Sequence, residues 1–224
     1  MKLPLSNRLL ACCDFVRKGD RVADVGCDHG YLGIHLLTQG IASSIIASDV
    51  AEGPLQSALR NAHKYGVKNR MTFFLSDGLR SIPRDFDTLV CAGMGADTIM
   101  SILDAAFWLK DPKYRLILQC QSKRPELRKY LYANGFCIRR ETLAKDGKFC
   151  YPVMEVVYAP GEPLSGAEYY ITPALLADKS PLLPEFYSRV VGGVQTTVDG
   201  LARTGGEKYE EYKKILEELK NLQF

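Results

Sequence analysis

The chain has 224 residues, 46% of them hydrophobic and 25% charged, with a formal net charge of +3. That length suits one domain with an appendage or two small domains, and it buries a core without disulfide or metal staples. The seven cysteines (12, 13, 27, 91, 120, 137 and 150) include no Cys-x-x-Cys pair and only three histidines accompany them, which argues against a zinc site or disulfide framework, and no apolar run is long enough to span a membrane. The cysteines sit in apolar runs and read as small core residues. Residues Met1 to Arg8 lack a long apolar stretch, so a signal peptide is not expected and the cytoplasm is the expected compartment. Charge is uneven: residues 1–160 carry 22 Lys+Arg against 16 Asp+Glu, whereas residues 161–224 carry 7 against 10. A mildly basic first part fits a polyanionic partner and equally fits an ordinary surface.

In chain order, residues 6–16 read as a short helix with Leu9, Leu10, Cys13 and Val16 on its apolar face. Strands then alternate with helices. The strands fall at 21–25, 44–48, 71–75, 86–92 and 114–120, each short and rich in β-formers. The helices fall at about 31–39, 53–65, 95–107 and 124–134. Pro54 lies just inside one helix, and Gly40, Gly66 and Gly135 lie just past others, as C-terminal caps do. Two further strands, about 136–143 and 151–158, are joined at Asp146-Gly147, a turn signal. This order predicts an α/β, doubly wound, Rossmann-like sheet of seven strands ending in an antiparallel hairpin. Ala159 to Gly166 is linker-like, and Pro173, Pro181 and Pro184 predict a mostly irregular stretch. From 185 two helical stripes appear, Phe186-Val190-Gly193-Thr197-Leu201 and Tyr209-Tyr212-Leu216-Leu219. Thr204-Gly205-Gly206 separates them, so a C-terminal helical, coiled-coil-like hairpin is expected. The expected division is a sheet domain over 1–160 and a linker with hairpin over 161–224. The hairpin must pack on itself, on the sheet or on a partner, a second copy included.

Four features fall at the carboxyl ends of successive strands, where open α/β sheets bind ligands. The first is Asp24-Val25-Gly26-Cys27-Asp28-His29-Gly30, a strand–turn–helix loop that offers backbone N–H groups. Its glycine spacing is not that of dinucleotide binders, and Asp24 and Asp28 are poorly placed for a pyrophosphate. The second is Asp49-Val50, where an acid can accept bonds from ribose hydroxyls. The third is Asp77-Gly78, with Asp77 able to accept from an adenine amino group. The fourth is Gly93-Met94-Gly95, where glycines permit close backbone approach. Asp49 and Asp77 also suit caps and turns, and His29 suits a turn. Taken together, the four predict a ligand with ribose, adenine, a carboxylate and cationic centres. S-adenosylmethionine has that composition.

The chain resembles class I S-adenosylmethionine-dependent methyltransferases and, more narrowly, the bacterial tRNA (adenine(22)-N(1))-methyltransferase family. The matching residues are Ser6-Asn7-Arg8-Leu9, Asp24 to Leu32, Gly53-Pro54-Leu55-Gln56-Ser57-Ala58, Asn69 to Gly78, and Gly93-Met94-Gly95. The resemblance covers roughly residues 5–158. It implies a methyltransferase sheet, S-adenosyl-L-methionine as cofactor, and methylation of N1 of a D-loop adenine in tRNA. It also implies a C-terminal helical extension that contacts tRNA. Three departures stand out. The family's Gly-Met-Gly-Gly is Gly93-Met94-Gly95-Ala96, its Gln-Pro-Asn is Gln119-Cys120-Gln121, and its usual Glu is Asp49. The first two fall where the target base should enter.

Adenine N1 carries its own lone pair, so orientation is the main task. The base must leave its stack to expose its Watson–Crick edge. Tyr31 and Tyr151 are candidates to stack on it, though Tyr31 also suits a core position. Gln119 and Gln121 are candidates for its edge, and Asp28 for its N6 proton. Phosphate contacts are expected from Lys2, Arg8, Lys123, Arg124, Arg128 and Lys129, and from Arg139, Arg140, Lys145 and Lys148; a solvated helix face is the alternative for Arg128 and Lys129. Two other functions fit the same residues. One is methylation of another RNA, protein or small-molecule acceptor. The other is a catalytically silent module that binds cofactor or RNA.

Overall fold

The computed structural model describes residues 3–162 and 164–223. Lys2 lies outside them. Seven strands form one sheet: β1 Arg21–Val25, β2 Ser44–Asp49, β3 Met71–Leu75, β4 Thr88–Met94, β5 Arg115–Cys120, β6 Phe136–Asp146 and β7 Phe149–Tyr158. Their order is β3-β2-β1-β4-β5-β7-β6. The first five are parallel, and β7 runs antiparallel between β5 and β6. The expected seven-stranded, doubly wound sheet with a reversed strand is therefore present. Its strand order reverses between β1 and β4, where a crevice opens at the strands' carboxyl ends.

Alternation of side chains along the strands fills two cores. Val22, Ile45, Val90 and Ile117 face one layer, built from α1 (Asn7–Cys13), α2 (Tyr31–Thr38) and α3 (Glu52–Lys64). Ala23, Leu89, Cys91, Leu116 and Leu118 face the other, built from α4 (Ala96–Asp104) and α5 (Arg124–Ala133). All seven cysteines are free and buried, as small core residues. Gly40, Gly66 and Gly135 end α2, α3 and α5 in the left-handed region, with φ of 65°, 72° and 81°.

A third core joins the C-terminal part to the sheet. After a 3-10 turn at Gly166–Tyr169 come α6 (Pro173–Asp178), α7 (Leu183–Leu201) and α8 (Glu207–Lys220). Phe186, Val194 and Val198 of α7 and Ile215, Leu216 and Leu219 of α8 pack with Leu143 and Cys150 from the outer part of the β6–β7 hairpin. Tyr187 Oη donates to the Leu219 carbonyl at 2.9 Å, tying α7 to α8. The helical hairpin is present, seated on the sheet's long antiparallel edge.

Local differences from the sequence reading have physical causes. Helix α1 stops at Cys13, because Phe15 and Val16 turn inward and bond back to Cys12 and Cys13. The stretch before α7 is not irregular. Thr172 Oγ1 accepts the Leu175 N–H at 3.0 Å and Pro173 occupies the first turn, so α6 forms.

The amino end of the sheet is closed by charge. Arg115, 7% exposed, bonds Glu155 at 2.8 Å and Asp20 at 2.9 Å, and donates to the Phe15 carbonyl at 2.6 Å. Nearby, Arg21 grips Asp87 at 2.8 Å.

Candidate active site

At the opposite, carboxyl end lies a cleft of about 420 Å³ between β1, β2, β3 and α4, within the usual size range of small-molecule sites. Gly26, Asp49, Val50, Asp77, Gly78 and Met94 line it, so six of the residues expected at the cofactor site meet here. Gly26 turns the chain with φ 73°, and a Cβ there would sit 2.4 Å from the Met94 methyl. The left-handed φ is what favours glycine here, since the Met94 methyl is the mobile end of a side chain and can give way. Gly30 begins α2 with φ 70°, against Ala58.

Asp49 organises the loop. Its carboxylate accepts the backbone N–H groups of Asp28 at 3.1 Å and Ala51 at 3.0 Å, leaving lone pairs for a further donor. Beside it Val50 is 72% exposed, an apolar wall with no protein cover. Asp77 is exposed and pairs with Arg80 at 3.1 Å, a surface contact weak enough to yield to a ligand. Asp24 sits behind the loop, 4% exposed. Its Oδ2 has no hydrogen-bond partner, although the Gly33 N–H supports the carboxylate. Burial first, and the Asp49 charge as a smaller influence, push its pKa up to about 7. Orphaned buried acceptors are uncommon and favour a cationic or donating ligand nearby.

The other expected residues distribute around this cleft. Asp28 adopts φ 49° and points to solvent, with His29 Nε2 3.6 Å from its carboxylate. His29 stands outside the cleft wall and touches Tyr31, ring centroids 5.8 Å apart. Tyr31 is partly buried against the α1–α3 core. The opposite wall comes from α4, where Asp97, Thr98, Ser101 and Ile102 line the cleft. None of these four was singled out by sequence. Their i, i+1, i+4, i+5 spacing just after Gly95 was the available signal.

Beside the cleft, β4 bulges at Gly93, which has φ 82° where the β4–β5 register shifts. Gln119, expected at the base edge, is instead fully buried. Its Oε1 accepts the Gly93 N–H and an Arg8 Nη1 proton, each at 3.0 Å. Gln119 therefore positions Gly93 and Arg8 rather than lying open to a base, while its Nε2 is buried without a hydrogen-bond partner. Arg8, expected to meet phosphate, lies against Gly93, its Nη1 3.1 Å from where a Gly93 Cβ would be, with Asp146 3.5 Å from its Nε. Gln121 is exposed and its Nε2 lies 3.6 Å from where a Gly93 Cβ would be. Tyr151 is partly buried farther along β7, its ring 6.2 Å from that of Phe149. Gly95 caps α4 against Ser122.

The expected phosphate contacts separate into three kinds. Arg128 is 1% exposed; it pairs with Glu141 and donates to the Tyr169 and Tyr170 carbonyls at 2.9 Å. It is a structural arginine, because its amphipathic helix turns that position inward, and the expectation that it meets phosphate is wrong. Lys123 is exposed at the start of α5, bound to Asp97 at 2.7 Å. Arg124 is mostly buried and lies over the Phe186 ring at 5.4 Å.

A switch-point cleft on this strand order, with an acid ending β2 and glycine turns after β1 and β4, is the arrangement of methyltransferase domains. Residues 5–154 match the methyltransferase-domain family, and the chain belongs to it. A Bacillus subtilis tRNA (adenine(22)-N(1))-methyltransferase is 32% identical over 154 residues, which are 68% of this chain and 65% of that protein. The chain thus matches less than two thirds of the length of such curated relatives. Solved structures extend the likeness through the helical hairpin. A Streptococcus agalactiae protein of the NADB-Rossmann superfamily superposes with TM-score 0.87 at 29% identity, covering 98% of this chain and 97% of its own. A Streptococcus pneumoniae protein solved in complex with S-adenosyl-L-methionine gives TM-score 0.80 at 29% identity, covering 96% and 98%. Among the described residues, no helix is long and apolar enough to cross a membrane.

Proposed function

We propose that the protein transfers a methyl group from S-adenosyl-L-methionine to N1 of an adenine in the D-loop of tRNA. One observation carries this reading: the cleft bearing Asp49, Val50 and Asp77 reaches Met94, next to the Gly93 bulge against which Arg8 and Gln121 lie. The cleft fits a nucleoside and the bulge a base brought up to it. The names of the relatives support the same substrate pair.

The cofactor supplies an electrophilic methyl on a sulfonium. Asp49 accepts the ribose hydroxyls, Val50 covers one adenine face and Asp77 accepts from the adenine amino group. Gly26 and Gly30 shape the loop, whose N–H groups at Gly26, Cys27, Asp28 and Gly30 already donate to Ser48, Asp49 and Cys27. The cofactor carboxylate is left to the start of α2, and Asp24 lies behind the loop on the cationic side. Gln119 holds Gly93 in its bulge and Arg8 against it. Gln121 reaches the base edge, and Asp28 can accept from N6 as charge develops on the ring. No general base is required, because N1 presents a free lone pair. Arg8, Lys123 and Arg124 then face the RNA backbone, with the sheet carrying the chemistry and the hairpin flanking it. A tRNA substrate agrees with the cytoplasmic setting expected from the sequence.

The test is transfer from methyl-labelled S-adenosylmethionine to unmodified tRNA, followed by digestion to nucleosides. Label in N1-methyladenosine is expected. Label in another nucleoside contradicts the adenine-N1 assignment and follows the departure at Gln119-Cys120-Gln121. Bound cofactor without transfer to any RNA contradicts the enzyme and favours a silent binding module.

A further inference from the structure

A second cleft, of about 300 Å³, lies between the start of α5 and the face of α7, bordered by Lys123, Arg124, Arg128, Phe186, Arg189 and Tyr212. Four of these six are cationic. Three have anions assigned: Lys123 has Asp97, Arg128 has Glu141 and Arg189 has Glu185. Arg124 has none. Among the described residues it makes no ion pair or hydrogen bond; it lies over the Phe186 ring, and Glu141, already paired with Arg128, acts on it only as a more distant charge. Burial, and next the Arg128 charge, hold its pKa below the usual arginine value. Below it, Arg128 Nε is buried without a hydrogen-bond partner. A mostly buried guanidinium without an anion is an unfavourable arrangement for folding alone. It is the arrangement expected where an anion arrives from outside.

We propose that this cleft binds a backbone phosphate of the RNA, held by Arg124 with Lys123 at the rim. The proposal rests on the tRNA reading above and deepens it, because it fixes one phosphate in a defined cleft between α5 and α7. Arg124 follows Gln121, beside the Gly93 bulge, by three residues, a reach of at most about 10 Å. The phosphate therefore belongs to a nucleotide close to the target base. Pro125 removes one N–H from the first turn of α5, and the Tyr212 hydroxyl that borders the cleft is shared with that of Tyr170. Glu126 also borders the cleft but is exposed at its rim.

Two variants of the full chain test this. Arg124→Gln should raise the Kd for tRNA about tenfold and lower the slope of log K against log salt by about 0.7 to 0.9, the loss of one phosphate contact. Its affinity for S-adenosylmethionine should stay as in the wild type. Gly193→Glu approaches from the other side: a Cβ at Gly193 meets nothing within 4 Å, so the carboxylate can enter and occupy Arg124. It should raise the melting temperature and weaken tRNA binding. Unchanged tRNA affinity and salt slope in both variants overturn the proposal. Stabilisation of the wild type by inorganic phosphate, lost in Arg124→Gln while tRNA affinity holds, also overturns it by assigning the cleft to a free anion. If wild-type protein binds tRNA but transfers no methyl, the proposed reaction fails, and the two variants still decide the phosphate site.

Discussion

At the amino end of the sheet, Arg115, Asp20, Glu155 and Thr88 satisfy one another. At the carboxyl end, Asp24 keeps an orphaned oxygen, Asp28 and Asp77 face solvent, and Val50 stands uncovered. The same strands supply both ends, and hydrophobic burial between them is continuous. The difference lies in how polar groups are completed. One end completes them internally and contributes to stability. The other leaves them for a ligand and gives up stability to do so.

That contrast can be broken from the closed end first. Glu155→Ala leaves the Arg115 guanidinium with one carboxylate in a buried setting, and should destabilise the protein by about 3 kcal/mol in urea unfolding. A loss within the range of ordinary surface substitutions, about 0.5 kcal/mol, would mean that the Arg115 cluster does not hold the amino end of the sheet closed.

The open end predicts a pH-dependent effect at Asp24. Its pKa is about 7 in the folded state against 3.8 for the ordinary carboxyl. Between those values the native state binds more protons than the unfolded one, so this group's contribution to stability falls as pH rises from about 4 to about 7. Asp24→Asn removes that loss. The variant's stability relative to wild type should climb across this window and level off above pH 7, with a ceiling of about 4 kcal/mol. A difference that stays flat with pH contradicts the buried, protonatable state.

Much of this organisation was legible in the sequence, for identifiable reasons. Apolar strands buried on both faces, glycine caps at 40, 66 and 135, and the Asp146-Gly147 turn are local signals, and each appears where expected. Asp49 and Gly26 were legible because strand ends fix their neighbours. Side-chain direction was not. Gln119 and Arg128 have residue types that suit RNA, but strand pleat and helix phase carry both inward, to Gly93 and to Glu141. The α4 wall was missed because small polar residues at helical spacing resemble a solvated face. Thr172-Pro173 was a readable helix start hidden among other prolines. The cleft around Arg124 was beyond reach, since its two walls are separated by some sixty residues and meet only through the third core.

The central claim is that the unfinished end of the sheet is the cofactor site. Calorimetric titration of S-adenosylmethionine into wild-type and Asp49→Ala protein, with melting curves on both, tests it most directly. The account predicts one cofactor bound per wild-type chain and at least about tenfold weaker binding in the variant, the loss of a charge-assisted contact of roughly 1.5 kcal/mol. The melting temperature should fall by only a few degrees, about 2 to 4 °C per kcal/mol, from the lost bonds to the Asp28 and Ala51 N–H groups. Equal affinity in the two proteins, or no binding to the wild type, would contradict the account.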